Sequence, residues 1–231
     1  MSRFAAEESR RIDAPEPKPR SGDVVFVVDD DPSVRKSLTR VLTSAGYRVE
    51  TFASAGDFMA RTPSADACCV VLDVSMPGLT GLHLQEALVG AGRRMPIVFI
   101  TGHGDIPMSV QAMKAGAVDF LTKPFAIATL VAAVERAVAK SVKDRGEEDR
   151  TAEALARVAR LTPREIEVFA LVVTGMLNKQ IADRLGVVEK TVKVHRARVM
   201  EKMQAGSVAE LVRLADRAGV VVPAPLALPP G

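Results

Sequence analysis

Between Val24 and Lys140, five short strand-like runs alternate with five amphipathic stretches, and few folds accept that pattern. The runs are Val24–Val28, Arg48–Phe52, Cys68–Leu72, Ile97–Ile100 and Val118–Leu121. Helical stretches run from Pro32 to about Ala45 and fall near 54–61, 81–91, 106–115 and 126–140. Val34, Leu38, Val41 and Leu42 share one face of the first, which Gly46 stops. Such alternation predicts βαβ units and a parallel sheet. The runs at 24–28, 68–72 and 97–100 are apolar throughout, as central strands covered on both faces should be. The expected fold class is α/β, a doubly wound five-stranded parallel sheet over residues 22–140.

Beyond it the chain changes character. Residues 141–156, SVKDRGEEDRTAEALA, are charged and at first poorly periodic, which suggests a linker. From 157 to 219 the pattern is all helical and predicts a four-helix domain. Thr162 as N-cap, Pro163 at the first helical position and Glu165 at the third form a capping box, with Leu161 and Ile166 placed as a hydrophobic staple. Gly175 closes that helix. A helix from Asn178 to Leu185, a Gly186-Val187-Val188 turn and a helix from Glu189 to about Met203 follow. Ser207 and Glu210 suggest a second capping box, opening a final helix that Gly219 ends. Residues 1–21, with Pro15, Pro17 and Pro19, and the uncharged stretch 220–231 read as a disordered arm and tail.

Composition narrows the function. Cys68 and Cys69 lie in one strand and read as buried thiols, which excludes a disulfide scaffold and points to a reducing compartment. No apolar run approaches the ~20 residues of a membrane span, and the first residues lack an apolar leader core. His83, His103 and His195 have no cysteine pairs at zinc spacing. Met76, Met95, Met108 and Met113 read as packing. A soluble, cytoplasmic protein with no membrane partner is expected. Residues 157–231 hold 12 Lys and Arg against 7 Asp and Glu, whereas 22–140 hold 11 against 12. Only the C-terminal part suits a polyanion.

The chemistry gathers where the strands end. In an open parallel sheet the carboxyl ends of the strands form the ligand crevice. The first strand ends in Asp29-Asp30-Asp31, the third in Asp73, the fourth in Thr101 and the fifth in Thr122-Lys123-Pro124. Asp31 before Pro32 fits a helix cap. Asp29, Asp30 and Asp73 would repel one another unless a cation or Lys123 compensates, and an all-oxygen ligand set is what Mg²⁺ prefers. One function that fits is a Mg²⁺-dependent phosphotransferase or phosphatase of a small molecule, though Val74 and Ser75 stand where a second acid/base carboxylate would be sought.

The other function comes from a resemblance. VVFVVDDDPSVRKSL, CVVLDVSMPGLTG and IVFITGHGDIPMSVQAMKAGAVDFLTKPF resemble the receiver domain of bacterial two-component response regulators, a flavodoxin-like fold. LTPREIEVFALVVTGMLNKQIADRLGVVEKTVKVHRARVMEKMQ is similar to the helix-turn-helix of the LuxR/NarL/FixJ class, and the combination is most like the FixJ subgroup. The resemblance covers about residues 22–219. It implies a transcription regulator, not an enzyme beyond self-phosphorylation and slow self-dephosphorylation. Asp73 would accept a phosphoryl group from a sensor histidine kinase. Asp29, Asp30, Asp73 and the main-chain carbonyl of Ser75 would hold Mg²⁺. Lys123 would pair with Asp73 and then the phosphoryl group, Thr101 would bond a phosphoryl oxygen, and Phe120 would be the aromatic switch. Lys123-Pro124 would be a cis peptide. Phosphorylation would drive homodimerisation through the face of helix 106–115, strand 118–121 and helix 126–140. Double-stranded DNA and RNA polymerase would be further partners. Two positions depart from the common pattern: Thr80 replaces an Asp, and Phe120 a Tyr.

On a helical wheel, Val192, Val199 and Met203 share one side of helix 189–203, with Lys190, Lys193, Val194 and Ala197 roughly opposite. That outward face could enter a major groove. By resemblance Lys193 and Val194 would read base edges. Lys179, Lys190, Arg196 and Arg198 are candidates for phosphates, Thr191 is a further DNA-binding candidate, and His195 flanks the same face. Arg196 lies awkwardly near the apolar side.

Overall fold

The computed structural model describes residues 23–61, 67–102 and 106–220, which form two compact units dividing between Asp144 and Arg145. The expected arm, residues 221–231 of the expected tail, the Cys68 side chain and His103 lie outside the described residues, whereas Val220, expected in the tail, packs against the second unit's core. In the first unit β1 (Val24–Val28), β2 (Arg48–Phe52), β3 (Ala67–Asp73), β4 (Ile97–Thr101) and β5 (Asp119–Thr122) form one parallel sheet in the order β2-β1-β3-β4-β5. Every residue of β1 and β4 is buried, as expected of apolar strands covered on both faces. Helices α1 (Pro32–Ser44) and the first part of α5 (Ile127–Val158) pack on Val25, Val27, Val71 and Val98. Helices α2 (Ala55–Ala60), α3 (Gly81–Gly90) and α4 (Ile106–Lys114) cover the face carrying Phe26, Val70, Leu72 and Phe99. The order reverses between β1 and β3, so their carboxyl ends open a crevice there.

Four expectations are corrected. Helix α5 does not stop near residue 140 but runs on to Val158, through the whole stretch expected as a linker. Lys, Arg, Glu and Ala dominate that stretch, all good helix formers, and Lys140–Asp144 and Glu153–Arg157 add i,i+4 pairs. It lacks an apolar stripe because residues 147–150 face solvent all round. Of the two residues placed as a staple, Leu161 joins the core while Ile166 stays exposed. The second capping box is only half made. Ser207 accepts from the Glu210 N–H, but Glu210 turns back to the Gly206 N–H at 2.9 Å. Met113 is exposed, whereas Met76 is buried and Met95 and Met108 pack against the core.

The second unit combines the end of α5 with α6 (Pro163–Val172), α7 (Asn178–Leu185), α8 (Glu189–Met203) and α9 (Val208–Arg217) around Phe169, Ile181, Val192, Met203 and Leu211. Gly186 ends α7 in the left-handed region at φ 64°, which gives the sharp turn into α8 without a Cβ penalty. Thr162 and Glu165 form the expected capping box. Buried Glu165 also accepts from Lys202 Nζ at 2.6 Å, which ties α6 to α8. The Lys202 hydrogen bond, the Thr162 N–H and the ammonium charge hold the Glu165 carboxyl down to about 2 from 4.5. A depressed carboxyl stabilises fully above its ordinary pKa and loses that contribution as pH falls through the folded value. We therefore expect Glu165→Gln to destabilise this unit by about 1–3 kcal/mol at neutral pH. Thermal unfolding repeated between about pH 5 and pH 2 should show the gap to wild type closing over that window.

Candidate acidic site and nucleic-acid interface

Three strands and one loop converge on the crevice. Asp29 follows β1 and is buried, Asp30 beside it is exposed, and Asp73 ends β3, buried. Each offers a carboxylate oxygen, and the three oxygens lie within 4.8 Å of one another. Lys123, just past β5, bridges them, with Nζ 2.9 Å from Asp29 Oδ2 and 3.3 Å from Asp73 Oδ1. Burial pushes the Asp73 carboxyl up, Lys123 pulls it back, and the Asp29 charge adds to the rise. Burial works against the Lys123 ammonium, but its bond to Asp29 and the charges of Asp73 and Asp29 outweigh that and raise its pKa. Three carboxylates against one ammonium leave excess negative charge on an all-oxygen donor set, so the pocket can hold a hard metal ion.

The neighbouring strand ends carry the other candidates. Thr101 ends β4 fully buried, and its carbonyl accepts from the Lys123 N–H at 2.7 Å. The Lys123-Pro124 peptide is cis. Ser75 is exposed two residues past Asp73. Phe120 on β5 is half-buried against Phe99, with ring centroids 6.1 Å apart. Asp31 caps α1 by accepting from the Ser33 N–H at 2.7 Å.

Two further residues support the site, neither of them among its predicted members. Arg35 Nη1 donates to the carbonyls of Asp29 and Asp30 at 2.6 and 2.9 Å, which fixes the acidic turn from behind. Helical side chains lean toward the N-terminus, so a long cation one turn past the Asp31 cap could have been expected to reach back there. Thr80 is the N-cap of α3, with its hydroxyl 2.9 Å from His83 Nδ1. Asp and Thr are both good N-caps, which explains why Thr serves at this position.

In the second unit Val192, Val199 and Met203 are fully buried, as the wheel requires. Lys179 on α7 and Lys190, Lys193, Val194 and Arg198 on α8 are exposed, while Thr191 and His195 are half-buried. Lys193 pairs with Glu189 one turn back at 3.1 Å. Arg196 turns from the outward face to donate to Asn178 Oδ1 at 3.1 Å, which braces α8 against the start of α7. Its awkward place on the wheel is that of a brace between helices.

Comparison with known proteins places both halves. Residues 25–135 match the response regulator receiver domain, and residues 159–215 the bacterial regulatory proteins of the luxR family. Nodulation protein W of Bradyrhizobium diazoefficiens is 47% identical over 85% of this chain and 87% of its own length. Transcriptional regulatory protein FixJ of Azorhizobium caulinodans is 45% identical over 85% of this chain and 93% of its own. A low-resolution structure of the response regulator StyR is 47% identical with a TM-score of 0.75, covering 84% of this chain and 98% of that one.

Proposed function

This chain belongs to the two-component response regulators that join a receiver to a LuxR-family DNA-binding domain and regulate transcription, and from that premise we propose that Asp73 is its phospho-acceptor. The observation that carries the reading is the Lys123 ammonium shared between Asp29 and Asp73 at the strand-order reversal. We assign residues 22–140 to the receiver, 141–156 to the connecting segment and 157–219 to the DNA-binding domain.

An oxygen of Asp73 attacks phosphorus in a phosphohistidine of the partner kinase. A P–O bond forms, the P–N bond breaks, and the imidazole leaves with the electron pair. Carboxylates are weak nucleophiles, but phosphoryl transfer needs mainly positioning and charge neutralisation. Asp29, Asp30, Asp73 and the Ser75 carbonyl would hold Mg²⁺, which when bound neutralises charge on the transferred oxygens. Lys123 follows the charge from the Asp73 carboxylate to the phosphoryl group. Thr101 bonds a phosphoryl oxygen and Phe120 repacks after it, without the hydroxyl a tyrosine would bring. The product is not turned over on a substrate but lost slowly by hydrolysis, so the chain is a switch and not an enzyme.

The face of α4, β5 and the start of α5 is the proposed dimer surface. Ile106, Val110, Met113 and Ile127 are all exposed there. The paired activator would engage double-stranded DNA and RNA polymerase in the cytoplasm. Among the described residues no helix is long and apolar enough to cross a membrane.

With a labelled small acyl phosphate and Mg²⁺, the chain should take up at most one phosphoryl group, and chelating the metal should reduce uptake to background. Steady turnover of generic phosphate esters would instead favour the small-molecule phosphatase reading. On DNA, Lys190→Ala and Arg198→Ala should each weaken binding similarly across sequences and reduce the salt slope by about one. Val194→Ala should change sequence preference more than salt dependence. Titrations by fluorescence anisotropy at several salt concentrations check both.

A further inference from the structure

We infer that Arg157 is a positioning residue that couples helix α5 to the recognition helix α8, and so carries the phosphorylation state to the DNA-reading face. The inference rests on the proposed phosphorylation switch and adds the element that transmits the signal. Its basis is a contact within the second unit. Arg157 lies in the last turn of α5 with only 17% of its side chain exposed. Its Nη1 donates to the carbonyl of Met203, the last residue of α8, at 3.0 Å. Its Nη2 is held by Glu153, one turn back on α5, at 2.5 Å.

The last four carbonyls of a helix have no partner within it, and a cation is favoured at that end. At the end of α8 the Gln204 and Ala205 N–H groups return to Glu201 and Met200, while Met203 takes the guanidinium. Ala154 and Val158 on the same face of α5 pack in the core that holds Met203, so side-chain packing backs the polar contact. Among the described residues, polar side chains brace α8 against three other elements: α7 through Asn178 and Arg196, α6 through Glu165 and Lys202, and α5 through Arg157. Of the three, α5 alone begins in the receiver, at Ile127, four residues past Lys123. Arg157 therefore ties the last turn of the helix that leaves the receiver to the carboxyl end of α8.

The test compares full-length wild type, Arg157→Met and Arg157→Lys. Methionine keeps an aliphatic stem and loses the donor; lysine restores a cation and a donor. The probe is a duplex selected from a random pool by the phosphorylated wild-type chain, titrated with and without a small acyl phosphate and Mg²⁺. Wild type should bind about 5- to 150-fold tighter when phosphorylated, the usual range of coupling between sites. Arg157→Met should bring that ratio to about one, and Arg157→Lys should recover most of it. A residue that merely held the unit together would weaken both states equally, so an unchanged ratio in Arg157→Met overturns the inference. If wild type itself shows no ratio while label uptake is normal, the phosphorylation-switch reading fails, and this inference with it.

Discussion

Asp73→Asn should fold like wild type yet no longer respond to phosphodonor, in either solution mass or DNA affinity. The substitution preserves shape at a buried position and removes the oxygen nucleophile. It also removes one of three converging carboxylates. Because burial raises the Asp73 carboxyl, its ionised form costs the folded state stability at neutral pH, so the amide variant should melt at the same temperature or higher. Light scattering and anisotropy, with and without the acyl phosphate, give the two readouts. Wild type should change in both and Asp73→Asn in neither. A variant that still dimerises on adding the donor would move the acceptor elsewhere.

Gly81→Ala should be the most damaging small substitution in the receiver. A Cβ at Gly81 would stand 2.4 Å from the Asp73 carbonyl oxygen and 3.1 Å from both Val74 Cα and the Phe99 ring. Two of these are backbone atoms at the end of β3, which cannot swing aside as a flexible side chain can. Either α3 moves out or the Asp73 strand end moves, and both Leu84 and Leu88 on α3 are buried in the core. Overpacking of this kind costs about 3 kcal/mol. A Cβ at Gly90 on the same helix would meet nothing within 4 Å, so Gly90→Ala should be neutral or stabilising by up to about 1 kcal/mol. Urea unfolding of the two variants measures the contrast. Slower phosphoryl uptake by Gly81→Ala is the second expected effect, since the displaced backbone carries Asp73.

How much of the molecule is readable from the chain differs by element. The runs Val24–Val28 and Arg48–Phe52 and the helices from Asn178 and Glu189 have strong local signals, and their bounds match. The acidic cluster is legible because polar residues at the ends of apolar strands must share one sheet edge. The path of α5 is not, because its middle has no apolar stripe and owes its helicity to propensity and charge pairs. Arg35 and Arg157 are also invisible as supports. Each donates to backbone carbonyls, and carbonyl acceptors leave no mark on side-chain patterns. Arg196 shows the same limit from the other side: basic composition suggests phosphate, and the geometry gives it Asn178.

The most direct measurement is to locate the phosphoryl group. The chain would be incubated with Mg²⁺ and a small acyl phosphate, then reduced with borohydride, which converts an aspartyl phosphate to homoserine, and digested for mass spectrometry. The account predicts homoserine at position 73, lost when the metal is chelated. Modification at Asp29 or Asp30 instead, or none in a chain whose DNA binding still responds to the donor, would contradict it.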